Sequence, residues 1–192
     1  NKFAWGENIG WTNWRDANGG ASGVRVESTY LVGFVWGENI GWIHLGQGPT
    51  NCSSYANANA ADFGVNILPG GDLSGYGWGE NIGWINFDTR ASLSGFGEQA
   101  RFDFAAGRFR GYAWGSNVGW INLHDASHFV GSDLPCGLDL NGDSVISFGD
   151  LNVLLSSFNL TGPCLVGDVN GDQVVNFADL NLLLSSYNQP CP

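Results

Sequence analysis

Short stretches in which apolar and polar residues alternate recur through the first two thirds of the chain. Four of them have the sequences Trp11-Thr-Asn-Trp, Trp42-Ile-His-Leu, Trp84-Ile-Asn-Phe and Trp120-Ile-Asn-Leu. Alternation with a period of two, built from aromatic and β-branched residues, is typical of a half-buried strand. This part of the chain is therefore predicted to be mainly β.

Each of these strands begins with the last residue of a seven-residue phrase, Trp-Gly-Glu-Asn-Ile-Gly-Trp. The phrase occurs three times, and a fourth time with Ser and Val in place of Glu and Ile. Gly and Asn supply the positive φ angles that a tight hairpin loop needs, so each phrase predicts a strand, a turn and a strand. The predicted hairpins are framed by Trp5 and Trp11, Trp36 and Trp42, Trp78 and Trp84, and Trp114 and Trp120.

A further strand is predicted upstream of the last three phrases, in segments that begin at Gly23, Phe63 and Ala100. One unit is then a three-stranded antiparallel meander. Residues 1–126 are predicted to form an antiparallel β-repeat domain of about four such units, the first of them truncated. Closure into a barrel, a prism or a sandwich remains open at this stage.

The first unit has no room for its upstream strand, because the chain starts at Asn1. An unpaired strand edge invites a partner. Phe3, Ala4 and Trp5 are predicted to form this assembly edge. Its partner is either the last strand of the same chain, which would close a ring, or a strand of a neighbouring molecule.

The recurring tryptophans have two interpretations. Packing in the core is the simpler one, because residues that recur in register usually do the same packing job. The alternative is an exposed face on which sugar rings stack against indoles. Glu7, Glu38 and Glu80 correspond to Ser116 in the fourth copy, which weakens the case for paired catalytic carboxylates. No nucleophile elbow, phosphate loop or zinc signature occurs, so the chain is predicted to be non-enzymatic.

Helical periodicity replaces the alternation near the end of the chain. Residues 151–158 and 180–187 carry apolar residues at i, i+3, i+4 and i+7, which predicts two short amphipathic helices. Each follows an acidic loop whose spacing of oxygen-bearing side chains, with one backbone carbonyl, suits Ca²⁺. The predicted ligands of two calcium ions are Asp139, Asn141, Asp143, Val145 (carbonyl), Ser147, Asp150, Asp168, Asn170, Asp172, Val174 (carbonyl), Asn176 and Asp179.

Residues 136–192 resemble a bacterial type I dockerin, a duplicated calcium loop and helix that docks on cohesin modules. The segments that begin at Gly167 and Val175 carry the resemblance. It implies a small all-α, EF-hand-like domain that folds on binding Ca²⁺. The implied contacts with a cohesin-like partner are Phe148, Gly149, Phe177 and Ala178. A calcium-folded stalk without a partner is the alternative. Ser144 and Gln173 depart from the pattern, because Gly eases the turn at loop position six.

The composition changes sharply near residue 135. All seven Lys and Arg and all nine Trp precede it, whereas residues 136–192 carry six Asp and no basic residue. The predicted organisation is a β-repeat domain at 1–126, a linker at 127–135 and the calcium module at 136–192. A net charge of −11 excludes nucleic acid as a natural partner. No apolar stretch approaches the roughly 20 residues of a membrane-spanning helix.

Four cysteines without zinc or redox spacing predict disulfides. Because duplicated dockerins bring their ends together, the resemblance implies a pair between Cys136 and Cys191. Cys52 and Cys164 then either bridge the two domains or stay unpaired. A start at Asn1 without a leader, together with these cysteines, predicts a secreted or cell-surface protein.

The expected function is that of a non-enzymatic extracellular assembly protein. A strand exchanged at the truncated first unit would join copies of the chain into a fibre, and the calcium module would add a second contact. The alternative is a carbohydrate-binding module that its dockerin attaches to a cohesin-based complex.

Overall fold

The structure is a computed structural model that describes residues 2–19, 22–91, 98–104, 106–126, 128–131, 138–141, 143, 145–162, 164–170 and 172–189. Over these residues the fold is mainly β, with two short helices. The chain forms two compact units, Asn1–Pro49 with Ser54–Asp133, and Thr50–Ser53 with Leu134–Pro192. Among the helices of the described residues, none has the length and apolar character needed to span a membrane.

An eight-stranded antiparallel barrel dominates the first unit. Its strands follow the order β1-β2-β5-β6-β8-β9-β12-β13, and β13 pairs back with β1. Each phrase supplies one hairpin, and we number the hairpins one to four along the chain. The strands of the unit are β1 (Phe3–Gly6), β2 (Gly10–Asn13), β3 (Arg25–Val26), β4 (Leu31–Val32), β5 (Phe34–Gly37), β6 (Gly41–His44), β7 (Val65–Ile67), β8 (Leu73–Gly79), β9 (Gly83–Asn86), β10 (Arg101–Asp103), β11 (Arg108–Arg110), β12 (Tyr112–Gly115) and β13 (Gly119–Asn122).

The first strand is paired on both sides within the chain. Trp5 lies opposite Trp11 on β2 and opposite Asn122 on β13. The junction between β13 and β1 has the same register as the other junctions between hairpins. Of the two partners that the sequence left open for the edge at Phe3, Ala4 and Trp5, the last strand of the same chain is the one observed, and it closes the ring.

A repeat of three-stranded units is not seen in the described part of the chain. β3 pairs with β4, β10 with β11, and β7 with the first half of β8, as short ladders apart from the barrel pairings. Gly33, Gly75 and Gly111 have φ angles of 104°, 95° and 76° where each strand turns out of the barrel. A Cβ at Gly33 would overlap the carbonyl oxygen of Gly23. The barrel therefore repeats a two-stranded hairpin.

Three layers of side chains fill the barrel. One end is closed by a residue from each turn, at most 6 % exposed: Ile9, Ile40, Ile82 and Val118. The opposite end is closed by the residue that follows each hairpin, at most 3 % exposed: Trp14, Leu45, Phe87 and Leu123. The strands between them contribute small and β-branched residues: Ala4, Thr12, Val35, Ile43, Ile85, Ala113 and Ile121.

The second unit repeats a loop and a helix. Helices α1 (Phe148–Ser156) and α2 (Phe177–Ser185) begin after Ser147 and Asn176, whose side chains accept backbone N–H bonds in capping boxes. The two halves exchange equivalent bonds, since the Asn159 amide donates to Val175 and the Asn188 amide to Ile146. Their shared apolar cluster consists of Ile146, Leu154, Val175 and Leu183.

A disulfide joins Cys52 to Cys164, with their Cα atoms 5.1 Å apart. Of the two possibilities that the sequence left open for these cysteines, pairing is therefore the one observed. Residues 50–53 belong to the second unit, although the segments on both sides of them in the sequence belong to the barrel unit. The pair predicted between Cys136 and Cys191 lies outside the described residues.

Candidate functional site

Each residue of the repeated phrase has a definable task in the hairpin. In hairpin three, the apolar side chain of Ile82 turns into the barrel end, and Gly79 leaves space for it, because a Cβ there would lie 2.6 Å from Ile82 Cγ1. Gly83 holds a φ of 77°, which a side chain would disfavour. Glu80 lies exposed on the rim. The turn is therefore shaped by two glycines and one isoleucine.

The asparagine of each phrase ties one hairpin to the previous one. Asn39 Nδ2 donates to the Ile9 carbonyl at 3.2 Å, and Asn81 Nδ2 donates to the Ile40 carbonyl at 3.1 Å. The same bond joins Asn117 to Ile82 and, across the closure of the barrel, Asn8 to Val118. These four hydrogen bonds, which we call clasps, form a ring around the turn end of the barrel. The sequence analysis assigned the asparagines only a role in turn geometry.

The tryptophans of the phrases lie on the outside of the barrel. Seven of the eight are 37–44 % exposed, and Trp120 is half-buried. The expectation that they pack in the core is wrong, because they alternate along each strand with the small interior residues. The ninth tryptophan, Trp14, is the buried one, at 3 % exposure.

Cross-strand pairing organises these outer rings. The two indoles of each hairpin lie 4.7–4.9 Å apart between ring centroids, tilted by 58–61°. A third ring stands edge-on against the second tryptophan of each hairpin, at 6.0–6.4 Å: Phe3, Phe34, Tyr76 and Tyr112. We call the resulting twelve rings the aromatic belt. An exposed apolar surface of this extent is typical of a binding surface.

An opening in the belt lies between hairpins two and three, with a volume of about 520 Å³. We call it the main groove. Its lining combines aromatic rings with polar groups: Phe34, Trp42, His44, Trp78, Glu80 and Asn81. None of the described lining residues is Lys or Arg.

His44 lies half-buried at the base of this groove. Its ring stacks on Phe34 at 4.6 Å and 15°, and Phe63 meets it edge-on at 5.2 Å. Burial lowers the pKa of His44, and a hydrogen bond with the backbone of Gly46 opposes that shift only in part. The imidazole is therefore neutral at pH 7, and its buried Nε2 has no hydrogen-bond partner among the described residues.

A second, smaller groove of about 320 Å³ lies beside hairpin three and is lined in part by Phe63, Tyr76 and Trp84. Phe63 separates the two grooves, since its ring contacts His44 on one side and Trp84, at 5.1 Å, on the other. The ring of Phe63 therefore lies between aromatic residues of the two openings.

The first acidic loop of the second unit brings carboxylates together. Ligand atoms of Asp139, Asp143 and Asp150 lie within 4.8 Å of one another. The Asp143 amide donates to side-chain oxygens of Asp139 and Asn141, and the Val145 amide donates to Asp143, which folds the loop around its carboxylates. The predicted ligand Ser147 caps helix α1 beside them.

The second loop repeats this geometry. The Asp172 amide donates to Asp168 and Asn170, and the Val174 amide donates to Asp172. Gln173 has a φ of 67°, so the unfavourable backbone expected at loop position six is present there. Ser144, its counterpart, lies outside the described residues. The remaining predicted ligands, Asn176 and Asp179, cap helix α2.

Asp150 is fully buried at the end of its loop. Burial would raise the pKa of its carboxyl group, but hydrogen bonds from the backbone amides of Ser147, Asn141 and Leu140 outweigh burial and lower the pKa. The carboxylate therefore stays charged, the state that a calcium ligand requires. In the first loop, therefore, three carboxylates lie close enough together to hold a divalent cation such as Ca²⁺, and among the described residues this is the one such cluster.

The residues that the dockerin resemblance assigns to partner contact lie at the start of each helix. Phe148 is 62 % exposed and Phe177 is 69 % exposed, while Ala178 is exposed and Gly149 half-buried. Phe177 also packs edge-on against Phe158 at 5.2 Å. These positions offer an apolar contact surface.

No family model, curated protein or solved structure matches this chain. The function therefore has to be argued from the belt, the grooves and the acidic loops themselves.

Proposed function

We propose that the protein is a non-enzymatic extracellular binding protein, in which the barrel binds carbohydrate and the helical unit attaches it to a partner. The observation that carries the proposal is the exposure of the phrase tryptophans, seven of which are at least 37 % accessible. Flat aromatic faces beside a few polar groups form the kind of surface on which sugar rings stack. The main groove supplies both.

The helical unit is proposed to fold around two Ca²⁺ ions and to dock on a cohesin-like protein through Phe148 and Phe177. The dockerin resemblance, the carboxylate cluster of the first loop and the matching ligand spacing of the second loop support this role. When bound, each ion would neutralise carboxylates such as Asp139 and Asp143, which repel one another in a unit without basic residues. The Cys52–Cys164 disulfide supports an oxidising, extracellular location.

Self-assembly is the second candidate function. The aromatic belt runs around all four hairpins, which is more apolar surface than one sugar site uses. Exchange of the first strand is not part of this proposal, because β1 is paired on both sides within the folded chain. Copies would instead join through the belt or through the helical unit.

One experiment separates the two functions. The intact protein is passed through native gels that contain neutral polysaccharides, and its mass in solution is measured with and without a calcium chelator. Retarded migration of a monomer supports carbohydrate binding. Large particles whose migration no polysaccharide retards support assembly and contradict the first proposal.

A further inference from the structure

We propose that the main groove is the carbohydrate-binding site and that its ligand is an uncharged polysaccharide chain. The inference rests on the proposed function and places the binding site at one of the four junctions between hairpins. It also names the chemical class of the ligand.

The main groove differs from the other junctions at the residue opposite the first tryptophan. At every junction the first tryptophan of a hairpin lies opposite the last residue of a neighbouring strand. That residue is Asn opposite Trp5, Trp36 and Trp114, but His44 opposite Trp78. Of the four junctions, this one alone has a histidine opposite the first tryptophan.

The exchange changes the hydrogen bonding at this position. Each of the three asparagines accepts a hydrogen bond from a backbone amide just after the strand, as Asn86 does from Asp88 at 2.8 Å. His44 instead hydrogen-bonds the backbone of Gly46 and stacks on Phe34, and its buried Nε2 has no partner among the described residues. An unpaired buried polar atom lowers stability. A residue that departs from a repeated solution at a cost indicates a functional site.

The chemistry of the groove selects an uncharged ligand. Trp42 and Trp78 offer flat apolar faces, Glu80 accepts hydrogen bonds from hydroxyl groups, and Asn81 lies beside it. The neutral His44 adds no positive charge. With one carboxylate and no cation in the lining, the groove repels uronic acids and sulfated sugars, as does the net charge of −11.

The second groove, lined in part by Tyr76 and Trp84, lies beyond the ring of Phe63, so the two openings together have room for more than one sugar ring. We therefore expect affinity to rise with the length of a neutral oligosaccharide until it spans both openings. A single sugar would bind weakly.

The test compares three variants of the full chain. His44→Asn installs the residue that the other hairpins carry in this slot, so the fold is kept. Trp78→Ala removes a groove wall, and Trp114→Ala removes the equivalent tryptophan of hairpin four as a matched control. Binding is measured by affinity electrophoresis in β-glucan, xylan and mannan, with polygalacturonate as the anionic probe.

We expect His44→Asn and Trp78→Ala to weaken binding to the retained neutral polysaccharide by about tenfold or more, as at other aromatic binding centres, with Trp114→Ala near the wild type. Equal loss in Trp78→Ala and Trp114→Ala, unchanged binding in His44→Asn, or stronger retention by polygalacturonate would overturn the inference. A wild-type protein that binds none of the polysaccharides would instead overturn the proposed function itself.

Discussion

Two tryptophans with opposite environments give the sharpest test of how the barrel uses its aromatic residues. Trp14 is 3 % exposed, packs against Phe109 at 5.4 Å and Phe87 at 6.2 Å, and donates from Nε1 to Thr12 Oγ1 at 3.1 Å. Trp14→Ala leaves a large cavity at the barrel end opposite the turns, which the Trp14 side chain helps to close. Such truncations cost about 3–5 kcal/mol of unfolding free energy.

Trp36→Ala removes an indole that is 39 % exposed and whose ring partner is Trp42, at 4.8 Å. The lost ring pair is worth about 0.5–1.5 kcal/mol, and no interior cavity forms, so we expect a total cost of about 1–2 kcal/mol. Tryptophan fluorescence during urea unfolding reports on the barrel unit alone, since all nine tryptophans precede residue 135. If Trp36→Ala destabilises the barrel as much as Trp14→Ala does, the belt is needed for folding and the argument for a binding surface fails.

Four further outcomes are expected. Asn81→Ala should lower the unfolding free energy by about 1 kcal/mol through loss of the clasp to Ile40, with Glu80→Ala near neutral in the same urea assay. Burial lowers the pKa of His44 in the folded chain, so the unfolded chain takes up the proton first as pH falls below the ordinary value of 6.5. The free energy of unfolding should therefore decline below that pH, and His44→Asn should remove the decline. A calcium chelator should abolish the far-ultraviolet signal of the helices and leave the tryptophan fluorescence unchanged; loss of both signals would contradict separate folding. Gln173→Gly should raise the thermal midpoint of the calcium-loaded helical unit, by relief of about 1 kcal/mol of backbone strain, and an unchanged midpoint would refute that strain.

The hairpins were predictable from sequence because their causes are local. Gly, Asn and two framing tryptophans within seven residues define a strand, a turn and a strand. Closure of the barrel was not predictable, since it depends on bonds such as that from Asn8 to the Val118 carbonyl, 110 residues apart. The three-stranded unit was wrong for a related reason: Gly33 marks the place where a strand leaves the barrel, but a glycine inside a strand pattern does not report its direction.

The exposure of the tryptophans also could not be predicted from the sequence. Alternation separates two faces of a strand, but it does not say which face is inside when one carries indoles and the other Ala4 or Val35. The structure decides this by volume, because eight strands around Trp14 and Phe87 leave space only for the smaller set. The acidic loops differ, since their ligands lie within a dozen residues and their spacing already predicts the geometry.

Repetition within one chain separates what the fold requires from what it permits. Glycine and asparagine recur in all four turns because each turn has the same space and the same clasp to fill. Ser116 replaces Glu on an exposed rim, where a change has no structural cost. His44 differs in kind, because it lies half-buried and its Nε2 has no hydrogen-bond partner among the described residues. A change at a constrained position needs a compensating role, and the main groove beside it is where such a role can be measured.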